Sequence, residues 1–88
     1  MPVIHKVVAK VISQTGRCDA EHKVGDEWVL GPKTPGGICS GAYHAMNSYA
    51  FLLITGAPMP WGDDPNVATV VCPDAKNPVV FELRRVPK

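Results

Sequence analysis

Residues 40–55 read SGAYHAMNSYAFLLIT, and this stretch decides the fold. Ala42, Ala45, Met46, Tyr49, Leu52 and Leu53 recur at spacings of three and four, the period of an amphipathic helix with one buried stripe. Ser40 reads as the N-cap and Gly56 as the stop. This is the one clear helix of the chain. The apolar residues on either side of it fall into shorter segments with the period of strands.

Residues 3–13 alternate, with Val3, His5, Val7, Ala9 and Val11 on one side and Ile4, Lys6, Val8, Lys10 and Ile12 on the other. The β-branched residues suit a pleated surface, and the two lysines mark the wetter face. Residues 14–23 lack an apolar period and contain Gly16, so they read as a loop. Val24-Gly25-Asp26 reads as a turn into a short second strand, residues 27–30. Residues 31–37 hold two Pro and three Gly and exclude regular structure. After the helix, a loop with Pro58, Pro60, Gly62 and Pro65 leads to residues 67–72, so apolar that a central strand is expected. A turn over residues 73–78 precedes a fourth strand, 79–86, with Val79, Phe81 and Leu83 inward and Glu82 and Arg84 outward. The order is ββαββ: an α+β single domain over residues 1–88, with one helix on a mostly antiparallel four-stranded sheet.

Lys and Arg number 9 against 8 Asp and Glu, a net charge of +1, which argues against nucleic acid or an anionic membrane as the main partner. Lys6 and Lys10 divide the apolar N-terminal segment into pieces too short for a signal-peptide core, and the run 50–54 is far too short to span a bilayer. Three cysteines, an odd count without a secretory pattern, speak against a disulfide framework and for a cytoplasmic protein with reduced thiols.

Those cysteines carry the functional signal. Cys18 lies in the polar loop after the first strand, Cys39 immediately precedes the helix, and Cys72 ends the third strand before Pro73-Asp74. Structural cysteines more often occupy core positions inside strands and helices. Three at element boundaries, with His22 four residues after Cys18 and His44 five after Cys39, point to a converging site. Thiolate and imidazole are the preferred ligands of zinc and of iron–sulfur centres. No Cys-x2-Cys knuckle is present, so the fold would have to bring the ligands together. A cysteine followed by proline, as in Cys72-Pro73, also recurs in ferredoxin-type runs. The alternative is a set of unligated thiols. Cys39 has a second reading: a helix N-terminus favours negative charge, which suits a ligand and equally a nucleophile paired with His44.

Other residues read as structural. His5 is expected on the sheet, half-buried or exposed, and Trp28 and Trp61 in packing, Trp61 with the alternative of lining a pocket. Asp63-Asp64 reads as a solvated loop with too few oxygen ligands for a hard cation. Gly36-Gly37 could cradle an anion, but the chain has no nucleotide-binding glycine pattern. Arg84 and Arg85 point to opposite faces of a strand and form no basic patch.

The segments Cys18-Asp19-Ala20-Glu21-His22-Lys23-Val24-Gly25-Asp26, Gly37-Ile38-Cys39, Pro60-Trp61, Cys72-Pro73-Asp74 and Val80-Phe81-Glu82-Leu83-Arg84 resemble a family of small, functionally uncharacterised bacterial and archaeal proteins, mostly from anaerobes. Cys-x3-His-x2-Gly-Asp and Cys-Pro-Asp are its most specific pieces. In that pattern a glycine stands before the histidine, where this chain has Glu21. The resemblance implies that Cys18, His22, Cys39, Cys72 and Asp74 belong together, and the anaerobic setting favours an iron–sulfur cluster over zinc.

The expectation is therefore a small metal- or cluster-binding protein with a redox or sulfur-related role. Cys18, Cys39 and Cys72 are its ligands, and His22 is a fourth ligand or a donor behind them. The contrasting class is a metal-free homo-oligomeric assembly module with free thiols. One helix covers one sheet face, and Val8, Ile12 and Val70 are expected on the other, so a dimer or trimer is expected. A redox partner protein fits the cluster reading; nucleic acid and membrane do not.

Overall fold

Alternation along the first strand sets the sheet. In the computed structural model, which describes residues 4–60 and 62–86, β1 (Val7–Gln14) buries Val7, Ala9 and Val11 completely and turns Lys10 and Ile12 outward. β2 (Glu27–Leu30) pairs with one side of β1, and β4 (Val79–Arg85) with the other. β3 (Val67–Val71) completes an antiparallel sheet of order β2-β1-β4-β3. The helix α1 (Ser40–Ile54) lies across one face, chiefly over β3 and β4. The expected α+β arrangement, ββαββ with one helix on a four-stranded sheet, is what the chain adopts.

The core lies between α1 and the odd-numbered positions of β1 and β4. Phe81, Leu83, Val79, Val7 and Val11 are fully buried against Met46 and Leu53 of the helix, each contributing roughly 1.5–3 kcal/mol. Phe81 is flanked on its other side by the rings of Trp28 and His22.

Five details depart from the expectations. The apolar third strand is at an edge, not in the centre. Its lack of charge reflects its place beneath α1: Ala68 and Val70 are buried against the helix layer, while Thr69 and Val71 face outward. Val70 therefore belongs to the covered face, and the open face carries Val8, Ile12, Val29 and Val71, interrupted by Lys10, Glu27, Glu82 and Arg84. The helix stripe is rotated: Ala42, Met46, Ala50, Leu53 and Ile54 are buried, Ala45 and Tyr49 are half-buried, and Leu52 is 42% exposed. Finally, the N-cap is Cys39, with Ser40 the first helical residue, and the first strand begins at Val7. Trp61 lies outside the described residues. No helix among the described residues is long and apolar enough to cross a membrane.

The two ends of α1 are finished differently. At the C-terminal end Gly56 takes φ +95°, and the Gly56 and Ala57 N–H groups bond back to the Leu53 and Leu52 carbonyls, the Schellman arrangement. Thr55 Oγ1 donates to the Phe51 carbonyl at 2.8 Å. Arg85, arriving from β4, donates to the Leu53 and Ala57 carbonyls and to Asn66 Oδ1, setting a cation against the negative end of the helix dipole. The N-terminal end has no side-chain cap at all.

Candidate functional site: a cysteine-lined cavity at the start of the helix

Three chain segments meet at that uncapped end. The first is the loop after β1. A register shift between Val11 and Ser13 bulges the strand as it leaves the sheet, and Gly16 follows at φ +75°. A Cβ at Gly16 would stand 2.3 Å from Asn77 Oδ1, so only glycine fits. The Glu21 N–H bonds to the Cys18 carbonyl at 2.9 Å, closing a tight turn, and Glu21 itself is held at φ +61°. This is the left-handed region, which glycine enters freely and other residues at roughly 1–2 kcal/mol.

That turn drives His22 inward, where it is 6% exposed. Its ring meets Trp28 edge-on at 4.7 Å between centroids, and its Nε2 accepts the Cys39 N–H at 3.0 Å. An accepting Nε2 is unprotonated, so the neutral ring carries its proton on Nδ1. In this arrangement His22 is a brace between the loop and the helix start, and its Nε2 is already engaged.

The second segment is the helix start. Cys39 holds extended backbone (φ −58°, ψ 133°), and its carbonyl accepts the first helical bond, from the Tyr43 N–H at 2.9 Å. The N–H groups of Ser40, Gly41 and Ala42 have no partner among the described residues. The third segment packs against the helix start at Gly41, where a Cβ would lie in ordinary contact with Pro73 at 3.5 Å and Cys39 Sγ at 3.8 Å.

The third segment is the β3–β4 turn. Cys72 Sγ accepts the Val79 N–H at 3.3 Å and lies 3.8 Å from the Asn77 carbonyl. Asp74 receives the Lys76 and Asn77 N–H groups and the Asn77 side-chain amide. The Asn77 amide, followed by the backbone bond from Lys76, holds the exposed Asp74 carboxyl below its ordinary titration range. Asn77 then uses its remaining oxygen to accept the Arg17 N–H at 2.8 Å. Two side chains therefore tie the segments together: His22 joins the Cys18 loop to the helix, and Asn77 joins it to the Cys72 turn.

Between them lies a cavity of about 150 Å³, walled by Cys18, His22, Cys39, Cys72, Asp74 and Asn77 among others. All three cysteines are free and half-buried. They line the wall without forming a ready coordination point: among the described residues, no three His, Cys, Asp or Glu side chains are grouped to hold a metal ion. The space is several times the roughly 30 Å³ share of one liquid water. His44 is exposed on α1 and does not line the cavity, so the Cys39–His44 pair is not assembled there. His5 is half-buried ahead of β1, Asp63 is exposed, and Asp64 makes an ion pair with Arg84 at 3.6 Å.

Asn77 is the site residue that sequence reasoning missed. The only local signal was the Asp74-x-x-Asn77 spacing of a side-chain-closed turn; its bond to Arg17 crosses the fold. Gly16 likewise carries no local signal in the sequence, because its close neighbour Asn77 lies far along the chain.

Fold and cavity together define the class: a small ββαββ domain that presents three cysteines, a braced histidine and an Asp–Asn turn around the N-terminus of its one helix. Compared with family models, curated proteins and solved structures, the chain has no significant match.

Proposed function

We propose that this protein binds a thiophilic metal centre, an iron–sulfur cluster in preference to zinc, through Cys18, Cys39 and Cys72, and that it serves a redox or sulfur-related reaction. The observation that carries the reading is the cavity shared by three cysteines from three separate segments. Its surroundings suit thiolates: Cys72 Sγ already accepts a backbone N–H, and Cys39 sits beside the unpartnered N–H groups of the first helical turn. Backbone donors to sulfur and a helix N-terminus both stabilise a sulfur-bound anion and tune a cluster's potential. A structural zinc site is closed around its ion, whereas this pocket has room for a larger group. The family that the motifs resemble, centred on anaerobes, favours iron–sulfur as well.

His22 stays a brace in this reading, because ligation through Nε2 would take it away from the Cys39 amide. Three protein ligands then leave a fourth position for an exogenous ligand or a substrate. The test is anaerobic reconstitution with iron and sulfide, and separately with zinc, followed by metal analysis of the wild type and of Cys18→Ser, Cys39→Ser and Cys72→Ser. A visible iron–sulfur chromophore with one centre per chain, lost in each Ser variant, is expected. Unchanged stoichiometry in all three variants, or no metal bound in either preparation, overturns the proposal.

A further inference from the structure

The three cysteines around the cavity are not equivalent. Cys72 is locked to β4 twice: its N–H bonds to the Val79 carbonyl at 3.0 Å, and its Sγ accepts the Val79 N–H at 3.3 Å. Val79 is buried, so drawing the Cys72 sulfur away strands a buried backbone donor. The sulfurs of Cys18 and Cys39 make no hydrogen bond among the described residues. Both residues lie in stretches without strand or helix, 15–26 and 31–39.

Those two stretches are already joined. The Cys18 carbonyl closes the turn that places His22, and His22 Nε2 accepts the Cys39 N–H at 3.0 Å. Cys18, unlike Cys39 and Cys72, also borders a second, shallow surface groove with Gly16, Arg17, Glu21 and Lys23. It is thus the thiol that meets both the outside and the cavity. Pairing two sulfurs also asks less of the loops than gathering three, since no three ligand side chains are grouped among the described residues.

We propose that, in the metal-free protein, Cys18 is the thiol that reacts with low-molecular-weight disulfides, that Cys39 resolves the product, and that Cys72 stays reduced. Cys18, as its thiolate, attacks one sulfur of the small disulfide. A bond forms between Cys18 Sγ and that sulfur, the small S–S bond breaks, and the departing thiolate takes up the proton that Cys18 lost. Cys39 then attacks Cys18 Sγ in the same way and expels the second small thiol. Two protein thiols are oxidised to one disulfide, and one small disulfide is reduced to two thiols. The consequence rests on the metal-binding reading: the new bond removes two of the three ligands, so oxidation closes the site to metal and reduction reopens it.

The reduced, metal-free full-length protein, incubated anaerobically with oxidised glutathione, quenched with iodoacetamide and mapped without reduction, tests this. Cleavage after Met as well as Lys and Arg is needed, because no Lys or Arg separates Cys39 from Cys72, whereas Met46 and Met59 do. The expected product is one Cys18–Cys39 bond within the chain, with Cys72 alkylated. Cys39→Ser should accumulate glutathione on Cys18, and Cys18→Ser should lose thiols about tenfold more slowly than the wild type. If either variant fails to fold by circular dichroism, the wild-type map alone decides. A bond to Cys72, a bond between chains, glutathione on Cys39 ahead of Cys18, or three persisting thiols overturns the proposal. The map uses no metal, so it fails independently of the metal-binding reading. Where the reduced protein binds metal, undiminished uptake by the oxidised protein overturns the switch.

Discussion

The two ends of α1 are made from the same kind of backbone and finished in opposite ways. At the C-terminal end the last helical carbonyls are taken up: Gly56 reverses the chain, Thr55 folds back, and Arg85 bonds two carbonyls and Asn66, while the buried His5 Nδ1 beside Gly56 has no hydrogen-bond partner among the described residues. At the N-terminal end Cys39 stands where Ser, Thr, Asp or Asn would cap, no side chain caps the first turn, and Cys39 and Ala42 border a cavity. A capping residue at that position is typically worth about 1 kcal/mol, which this chain forgoes. The difference teaches that hydrogen-bond closure is concentrated at one end of the helix, while the other end is left open where the cysteines and the proposed centre lie.

The comparison breaks if the ends respond alike to mutation. Arg85→Ala is expected to have the largest effect, about 2–3 kcal/mol of destabilisation in urea unfolding, because it removes charge-assisted bonds from half-buried carbonyls. Arg85→Lys should recover only part, since an ammonium cannot reproduce the fork. Neither should change metal stoichiometry. Equal losses of metal and stability would show that the two ends are not separable.

His22→Ala comes next, at about 1–3 kcal/mol, because it strands the Cys39 N–H and empties a space beside Trp28 and Phe81. The three Cys→Ser variants, measured without metal, should each lie within about 1 kcal/mol of wild type. That contrast sharpens the division within the site itself: a histidine that holds it and sulfurs that use it. If His22→Ala is as stable as the wild type but binds no metal, His22 is a ligand and not a brace.

The smallest expected effect has the opposite sign. Glu21→Gly relieves a left-handed backbone at φ +61°, partly offset by the greater freedom of glycine in the unfolded chain. A gain of about 0.5–1 kcal/mol in the same unfolding assay is expected. A loss would mean that the Glu21 side chain supports the loop in a way the backbone does not show.

The parts of this structure that could be read from residue order are those set by period. β4 is legible face by face, since Phe81 and Leu83 alternate with Glu82 and Arg84, and in β1 Lys10 marks the outward face between Ala9 and Val11. β3 was not, because an all-apolar run describes a buried strand in the centre of a sheet and equally one tucked under a helix at its edge. The rotation of the α1 stripe escaped for a related reason: residues 49–54 are apolar on almost every side, so composition there does not mark the inward face. Within the site, the cysteines stood out by their residue type and their positions at element ends. Asn77 and Arg85 did not, because each acts through bonds to residues far along the chain, Arg17 in one case and Leu53 and Ala57 in the other.

The two inner strands of the sheet, β1 and β4, are the first and last of the chain, and their register joins Val7 to Arg85. The middle of the sheet is therefore its longest-range contact, and closing so large a loop before any reward is gained makes folding slow. During synthesis Cys18 and Cys39 emerge while no β4 exists for β1 to pair with, and Cys72 emerges before the Val79 amide that will hold its sulfur. The cavity is complete only once β4 has docked, because the Val79 amide that Cys72 Sγ accepts and the turn that Asn77 ties to the Cys18 loop both depend on that strand's place.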